Sequence, residues 1–281
     1  MVRNADTAHV RDGGIVATVE TPRREILPVV LAAGMGSRLG GRPKALFRID
    51  RRPLLDLTLQ ALADEGFCYA LIITGHGAEE IRAHVHGRRC PLECVFVHNK
   101  RYAELNNFYS VSLATDAVVE HTLLIINCDV VFEQPVLDAA LAIATAPLGL
   151  LVEQGPTDAE AMKVELENSA VTRLSKRVPA RAAFGEFIGI STMDLTAQKV
   201  YAERAAEAIE AGELGLYYED VYSRICRELN VRVATVPSGS WAEVDTPADV
   251  PRAAAVVAAR VAASAPRATV KRAAAVGARS A

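Results

Sequence analysis

The stretch VVLAAGMGSRLGGRPKALF, Val29 to Phe47, decides how the chain is read. An apolar β-branched run ends at Leu31 and gives way to Ala33-Gly34-Met35-Gly36-Ser37-Arg38. Small residues after a buried strand let backbone amides approach a phosphate closely, and a helix starting there would add its positive end. Arg38 and Lys44 supply fixed positive charge. Together these are the parts of a triphosphate cradle. Other readings compete. Gly34-x-Gly36-x-x-x-Gly40 also matches a loose dinucleotide fingerprint, but that fold wants an acid at the end of the second strand, and Ile73-Thr74-Gly75-His76 has none. Pro43 also interrupts the helix such a fold needs, and the Gly-Lys-Ser/Thr of a P-loop is absent. A merely tight glycine turn would leave Arg38 and Lys44 unexplained.

Working outward, short apolar runs at Ile26–Leu31, Tyr69–Ile73, Leu92–Val97 and Thr122–Ile126 predict strands. Helical patterns around Leu54–Ala63, Ala78–Val85 and Asn106–Thr115 lie between them. This alternation predicts an α/β fold: a doubly wound, mostly parallel, Rossmann-like sheet. The second half carries closely spaced strand patterns at Leu148–Val152, Met162–Glu167, Ala170–Leu174 and Phe187–Ser191, with a hairpin turn at Glu167-Asn168-Ser169. Helices at Leu195–Ala211 and Asp220–Leu229 and a strand at Val231–Val236 follow. A last helix opens at Thr246-Pro247 with Asp249 in its first turn. The expected organisation is an N-terminal mobile arm (1–24), one α/β domain (25–251) with a small mixed-sheet insertion, and an Ala/Arg-rich helix or tail (252–281).

Composition narrows the class. A chain 51% hydrophobic and 23% charged has the balance of a globular protein. No run of about eighteen uncharged apolar residues occurs, so a transmembrane helix is not expected, and the N-terminus lacks the apolar segment of a secretory signal. Five cysteines without framework spacing fit a reducing cytoplasm. Residues 1–251 hold 25 basic and 34 acidic side chains, a net charge of −9, which argues against nucleic acid as partner. His84, His86, Cys90 and Cys94 invite a zinc reading, but the spacing is looser than paired C-x₂-C ligands and Cys94 falls in a strand alternation.

Leu31-Ala32-Ala33-Gly34-x-Gly36-x-Arg38-Leu39, followed by Pro43-Lys44, resembles the signature of the sugar-phosphate nucleotidylyltransferase superfamily. Asn106-Asn107-Phe108-Tyr109-Ser110 resembles the Asn-Asn-x-x-Ser segment of the phosphocholine and phosphonate (2-aminoethylphosphonate, phosphonoformate) cytidylyltransferases. Asn127-Cys128-Asp129 stands where that family places a metal-binding aspartate, and Trp241-Ala242-Glu243-Val244-Asp245 resembles the segment supplying the second. The resemblance implies a cytidylyltransferase in which Arg38 and Lys44 are catalytic and Asp129 and Asp245 hold Mg²⁺. It implies nucleotide binding by Leu31, Ala32, Ala33, Gly34, Gly36 and Ser37, with Thr74, Gly75, Asn107 and Ser110 around the base. The base of CTP would be read by backbone at Ala32-Ala33 and at the Thr74-Gly75 turn.

The implied reaction joins an acceptor oxygen to the α-phosphorus of a nucleoside triphosphate, with pyrophosphate leaving. The nucleophile is already an anion, so cations and positioning must supply the rate, not a proton-transfer triad. By resemblance, Lys176 lies near the acceptor phosphate and Glu186 faces an acceptor amine. Tyr217-Tyr218-Glu219-Asp220 either contacts an amine by cation–π attraction or simply starts a helix. Lys176, Arg177 and Arg181 would instead suit a doubly anionic acceptor. The high Ala/Arg usage is compatible with a high-GC genome, where phosphonate antibiotic pathways are common. A sugar-1-phosphate enzyme using UTP or dTTP, a non-catalytic nucleotide-binding regulator and a dinucleotide-dependent oxidoreductase are the rivals. No membrane partner is expected, and the chain is read as a monomer or homodimer.

Overall fold

The computed structural model of the chain describes residues 7–12, 15–20 and 25–264. The strands of the first half are β1 (Thr7–Asp12), β2 (Ile15–Glu20), β3 (Ile26–Ala32), β4 (Arg48–Ile49), β5 (Arg52–Pro53), β6 (Tyr69–Thr74) and β7 (Glu93–His98). The helices α1 (Leu54–Asp64), α2 (Ala78–His86) and α3 (Phe108–Ala117) are interleaved with them. Then come β8 (Thr122–Asn127), β9 (Val130–Phe132), α4 (Gln134–Ile143), β10 (Leu148–Gln154), β11 (Lys163–Glu167), β12 (Ala170–Ser175) and β13 (Ala183–Met193). The chain continues through α5 (Leu195–Glu210), α6 (Tyr218–Ile225), β14 (Val231–Val236), β15 (Trp241–Glu243) and α7 (Val250–Ser264).

Nine of these strands form one sheet. Its heart is parallel, in the order β7-β6-β3-β8. The eleven-residue β13 then joins antiparallel to β8 and β10, with β14 parallel to β10. The β11–β12 hairpin branches from the N-terminal part of β13. The doubly wound α/β fold with a mixed-sheet insertion is therefore present as expected. The hairpin turns at Asn168 and Ser169, both with positive φ (52° and 66°), between the paired Glu167 and Ala170.

Strand alternation puts helices on both faces of the sheet. Val29, Leu31, Leu71, Ile73, Leu123 and Ile125 pack against Phe108 and Val111 of α3, Tyr201 of α5 and Tyr218 and Tyr222 of α6. Val30, Ala32, Ile72, Leu124 and Ile126 point the other way, onto α1, α2 and α4. Burying one Leu or Ile side chain contributes about 1.5–3 kcal/mol, so this two-faced alternation selects the layered arrangement. A third apolar group holds Val131, Ala242 and Val244 under Val256 and Val257 of α7.

Sequence reading did not anticipate α4, although Val136, Leu137, Ala140 and Ile143 mark a buried helical stripe. Nor did it foresee the antiparallel β9–β15 pair. Where it read an arm without regular elements, Thr7–Asp12 and Ile15–Glu20 pair as an antiparallel ribbon. The remainder of 1–24, and residues 265–281 of the expected tail, lie outside the described residues. No described helix is long and apolar enough to cross a membrane.

Candidate active site

In the sheet, β3 lies between β6 and β8, so the chain leaves it toward one side and later returns on the other. Open α/β sheets bind ligands at such a switch point, outside the carboxyl ends of the strands. A cleft of about 700 Å³ opens there, lined on one side by the loop after β3 and on the other by Asn127, Cys128 and Asp129 after β8. The Cys128 amide donates to the Leu31 carbonyl at 3.3 Å, which ties the two strand ends together.

The glycine loop is braced from several directions. Gly36 has φ +59°, and a Cβ there would lie 2.6 Å from the Arg42 carbonyl oxygen. Its own carbonyl accepts from the Leu39 and Gly41 amides. No α-helix follows the loop, contrary to the expectation of a helix start. A single 3₁₀ turn, Ser37–Leu39, is stopped by left-handed Gly40 and Gly41 and by Pro43. A second turn, Lys44–Leu46, then aims Lys44 into the cleft. Pro43 is buried against Gly77 at the start of α2, and His76 Nε2 lies 3.0 Å from the Gly41 carbonyl.

At the centre Lys44 Nζ donates to Asp129 Oδ2 at 2.5 Å and to Asp245 Oδ1. Burial disfavours the Lys44 charge, but Asp129 and Asp245 outweigh it and hold its pKa above the ordinary lysine value. Pairing of β9 with β15 brings the two aspartates together, because Glu243 faces Val130 and the Val244 amide donates to the Asp129 carbonyl at 3.0 Å. Asp249 then fixes Asp245 by accepting from its amide (3.0 Å) and from the amide and hydroxyl of Thr246. Burial would raise the Asp249 pKa, yet these donors lower it. Arg38, mostly exposed, reaches within 3.8 Å of Asp245 Oδ2.

Sequence reasoning assigned no role to Glu243, although it lies in the quoted segment. Its carboxylate joins those of Asp129 and Asp245 in the only group of three acidic, His or Cys ligand atoms within 4.8 Å among the described residues. The crowded setting first, and the neighbouring Asp129 and Asp245 charges next, push its pKa up to about 8. Asp129 Oδ1 is buried and has no hydrogen-bond partner. A buried carboxylate oxygen left unpaired is costly, and a hard cation among carboxylates would satisfy it. The donor set therefore fits a divalent metal with oxygen preference.

Leu31, Ala33, Gly34, Gly36, Asn107 and Ser110, the residues expected around a nucleotide, line the cleft. Ala32, Thr74 and Gly75, expected at the base edge, do not. The Ala32 side chain is buried on the opposite face. Thr74 Oγ1 is turned to the Val97 carbonyl and its backbone carbonyl accepts from the Asn99 amide. A Cβ on Gly75 would meet Tyr102 and Ala33. Ser37 sits in the 3₁₀ turn. Asn107 Oδ1 accepts from the Tyr218 amide, and Ser110 Oγ accepts from Asn99 Nδ2.

The other end of the cleft holds both predicted acceptor residues. Lys176 Nζ is 3.3 Å from Glu160 and 5.6 Å from the Tyr217 ring centroid. Arg177 and Arg181 do not line the cleft. Burial raises the Glu186 pKa, with the Asp158 charge adding to it. Tyr217 to Asp220 do start a helix, through reciprocal bonds between Tyr217 and Asp220. The same turn buries Glu219 at the cleft, where burial pushes its pKa up to about 8 and Oε2 has no partner. A cysteine–histidine zinc cluster does not assemble: His84 Nε2 is 2.9 Å from Asp56, and His86 packs edge-on against Phe96.

Comparison with known proteins agrees with this fold. Residues 28–156 match the MobA-like NTP transferase domain. Among curated relatives, CMP-5'-(3-aminopropyl)phosphonate synthase of Streptomyces rubellomurinus is 30% identical over 79% of this chain and 37% of its own length. The 2-aminoethylphosphonate cytidylyltransferase of Lancefieldella rimae is 23% identical over 79% of this chain and 89% of its own. The chain spans about half or less of the length of the first curated relatives it matches. Among solved structures, the inositol-1-phosphate CTP transferase from T. maritima superposes with a TM-score of 0.69 at 22% identity, covering 82% of this chain and 95% of that one. Residues 28–156 are thus similar to a MobA-like NTP transferase domain, and the chain shares its fold with the T. maritima inositol-1-phosphate CTP transferase.

Proposed function

We propose that this chain is a cytidylyltransferase that joins CMP from CTP to a small phosphonate or phosphate monoester and releases pyrophosphate. The observation that carries the reading is the Lys44 ammonium held between Asp129 and Asp245, at the mouth of the glycine loop. The names of the phosphonate and CTP-using relatives support the choice of CTP and acceptor class. Mg²⁺, a cytoplasmic setting and a phosphonate pathway belong to the same reading.

In this reading the loop amides from Ala33 to Gly36 and the Arg38 guanidinium take the triphosphate. Lys44 neutralises charge at the phosphate under attack. Asp129 and Asp245, with Glu243 beside them, would hold Mg²⁺, which supplies charge neutralisation and orientation of phosphate oxygens. The acceptor oxyanion forms a bond to the α-phosphorus as the bond to pyrophosphate breaks, and no proton changes hands. The chain's part is to gather anions that repel in water against Arg38, Lys44 and the metal that the carboxylates would hold.

The test is pyrophosphate release with Mg²⁺, crossing CTP, UTP, GTP and ATP against 2-aminoethylphosphonate, phosphocholine, phosphonoformate and glucose-1-phosphate. Release with CTP and a phosphonate or phosphocholine is expected, and chelation of divalent metal should abolish it. Release only with glucose-1-phosphate would overturn the reading in favour of a sugar-nucleotide enzyme.

A further inference from the structure

Far along the sheet from the cleft chemistry lies a second reactive arrangement. Cys90 sits in the connection from α2 to β7, and Cys94 is the second residue of β7, at the edge of the large sheet. Their sulfurs are 3.7 Å apart, and both side chains are half-buried. Arg88, Arg89, Pro91 and Glu93 around them are exposed, so small molecules can reach the pair from solvent. Neither cysteine lines the cleft. The histidines that could turn the pair into a metal site are engaged elsewhere, which leaves each thiol with the other as its sulfur neighbour.

We propose that Cys90 and Cys94 form a reversible dithiol–disulfide site, in which a hydroperoxide oxidises Cys90 first and Cys94 resolves it. The two thiols are electrostatically unlike. Against the effect of burial, the hydrogen bond between the two sulfurs lowers the Cys90 pKa, with the backbone at Leu92 and the charges of Arg88 and His84 adding to it. Cys94 is pushed upward by that same bond and by burial. Cys90 is thus the thiol of the pair that ionises more readily, and Cys94 the one held in contact with it. Low-pKa, accessible cysteines beside a resolving thiol are the ones that oxidise selectively.

The steps balance. The Cys90 thiolate attacks the terminal peroxide oxygen and the O–O bond breaks. A sulfenic acid forms, and the alkoxide leaves, taking a proton from water. Cys94 gives up its proton and its sulfur attacks the Cys90 sulfur. The S–O bond breaks and hydroxide leaves as water. Two thiols and one hydroperoxide become one disulfide, one alcohol and one water, the sulfurs having given two electrons to the peroxide oxygens. A dithiol reductant reverses the change by exchange. The site is independent of the nucleotidyl-transfer reading, since neither cysteine lines the cleft.

The experiment exposes the reduced full chain to hydrogen peroxide, blocks remaining thiols by alkylation and digests with trypsin and Glu-C. Cleavage after Glu93 separates the two cysteines, so a disulfide leaves two peptides joined until reduction. Residue 90 should be linked to residue 94 at peroxide concentrations about tenfold below those that oxidise the exposed Cys68. Cys94→Ser should stop at a sulfenic acid on residue 90, trapped by dimedone. Cys90→Ser should leave Cys94 reduced. Complete alkylation of both thiols after peroxide, oxidation of Cys68 at the same concentration, or undiminished oxidation of Cys94 in Cys90→Ser would each overturn the proposal. The unmutated chain decides the first two outcomes, so the test stands even if a serine variant folds poorly.

Discussion

Lys44 owes its position to two carboxylates that reach it from different ends of the chain, and its charge survives burial because both are there. Replacing it with alanine leaves Asp129 and Asp245 facing each other without a cation from the protein. Lys44→Ala should lower CTP-dependent pyrophosphate release by about 10²–10³-fold, the usual cost of losing one preorganised partner of transition-state charge. Circular dichroism should show the fold intact; turnover near that of the unmutated chain would remove Lys44 from the chemistry. Glu219 provides a pH handle. Its folded pKa, about 8, lies above the value near 4.5 of an unburied glutamate, so the folded state holds the proton more tightly. The associated stability is fully present below about pH 4.5 and is lost as pH rises toward 8. Thermal unfolding followed from pH 5 to pH 8 should therefore fall less steeply in Glu219→Gln than in the unmutated chain.

Between elements, the start of α2 acts as a brace for the loop that carries Lys44. Gly77 has φ +63°, and a Cβ on it would lie 2.1 Å from Pro43 Cγ. Gly77→Ala should cost at least about 2 kcal/mol in denaturant unfolding, from the left-handed backbone and the displaced proline together. The KM for nucleotide should rise with it, since the loop would lose its support. This brace was hidden in the sequence, where Pro43 read as a helix breaker and as part of the Pro43-Lys44 signature, and His76 only as the end of a strand. The β3, β6 and β8 strands were legible because a doubly buried parallel strand is a continuous apolar run. Asp129 was legible because it follows such a run. By contrast β9 and β15 are three residues each, too short to carry a period, and their pairing joins positions more than a hundred residues apart. Glu243 could be named in a motif but not placed beside Asp129 without that ladder. Which side of the strand end at Thr74 and Gly75 faces the cleft likewise depends on neighbours the local pattern does not contain.

At the scale of the whole molecule, the cleft is walled by segments from both sheet halves and by the turn before α7, so its occupant should tie them together. A ligand that binds only the folded chain stabilises it by mass action, about 2.7 kcal/mol at a hundredfold excess over Kd. CTP with Mg²⁺ should therefore raise the thermal midpoint by several degrees, Mg²⁺ alone less, and UTP, GTP or ATP less than CTP. An equal rise with every nucleotide would remove base selectivity from the reading.

The contact between Lys44 and Asp245 spans 201 positions, and it has a temporal meaning as well as a spatial one. A ribosome releases the glycine loop, Lys44 and Asp129 long before Asp245 emerges. The growing chain can shape the glycine loop early, yet the second aspartate arrives only with the strand that zips onto β9, and α7 must follow to cover that ladder. The cluster of Lys44, Asp129 and Asp245 is thereby incomplete until synthesis has nearly passed through the whole described chain. A product stalled before β15 would hold half of a charge cluster and no means of closing it.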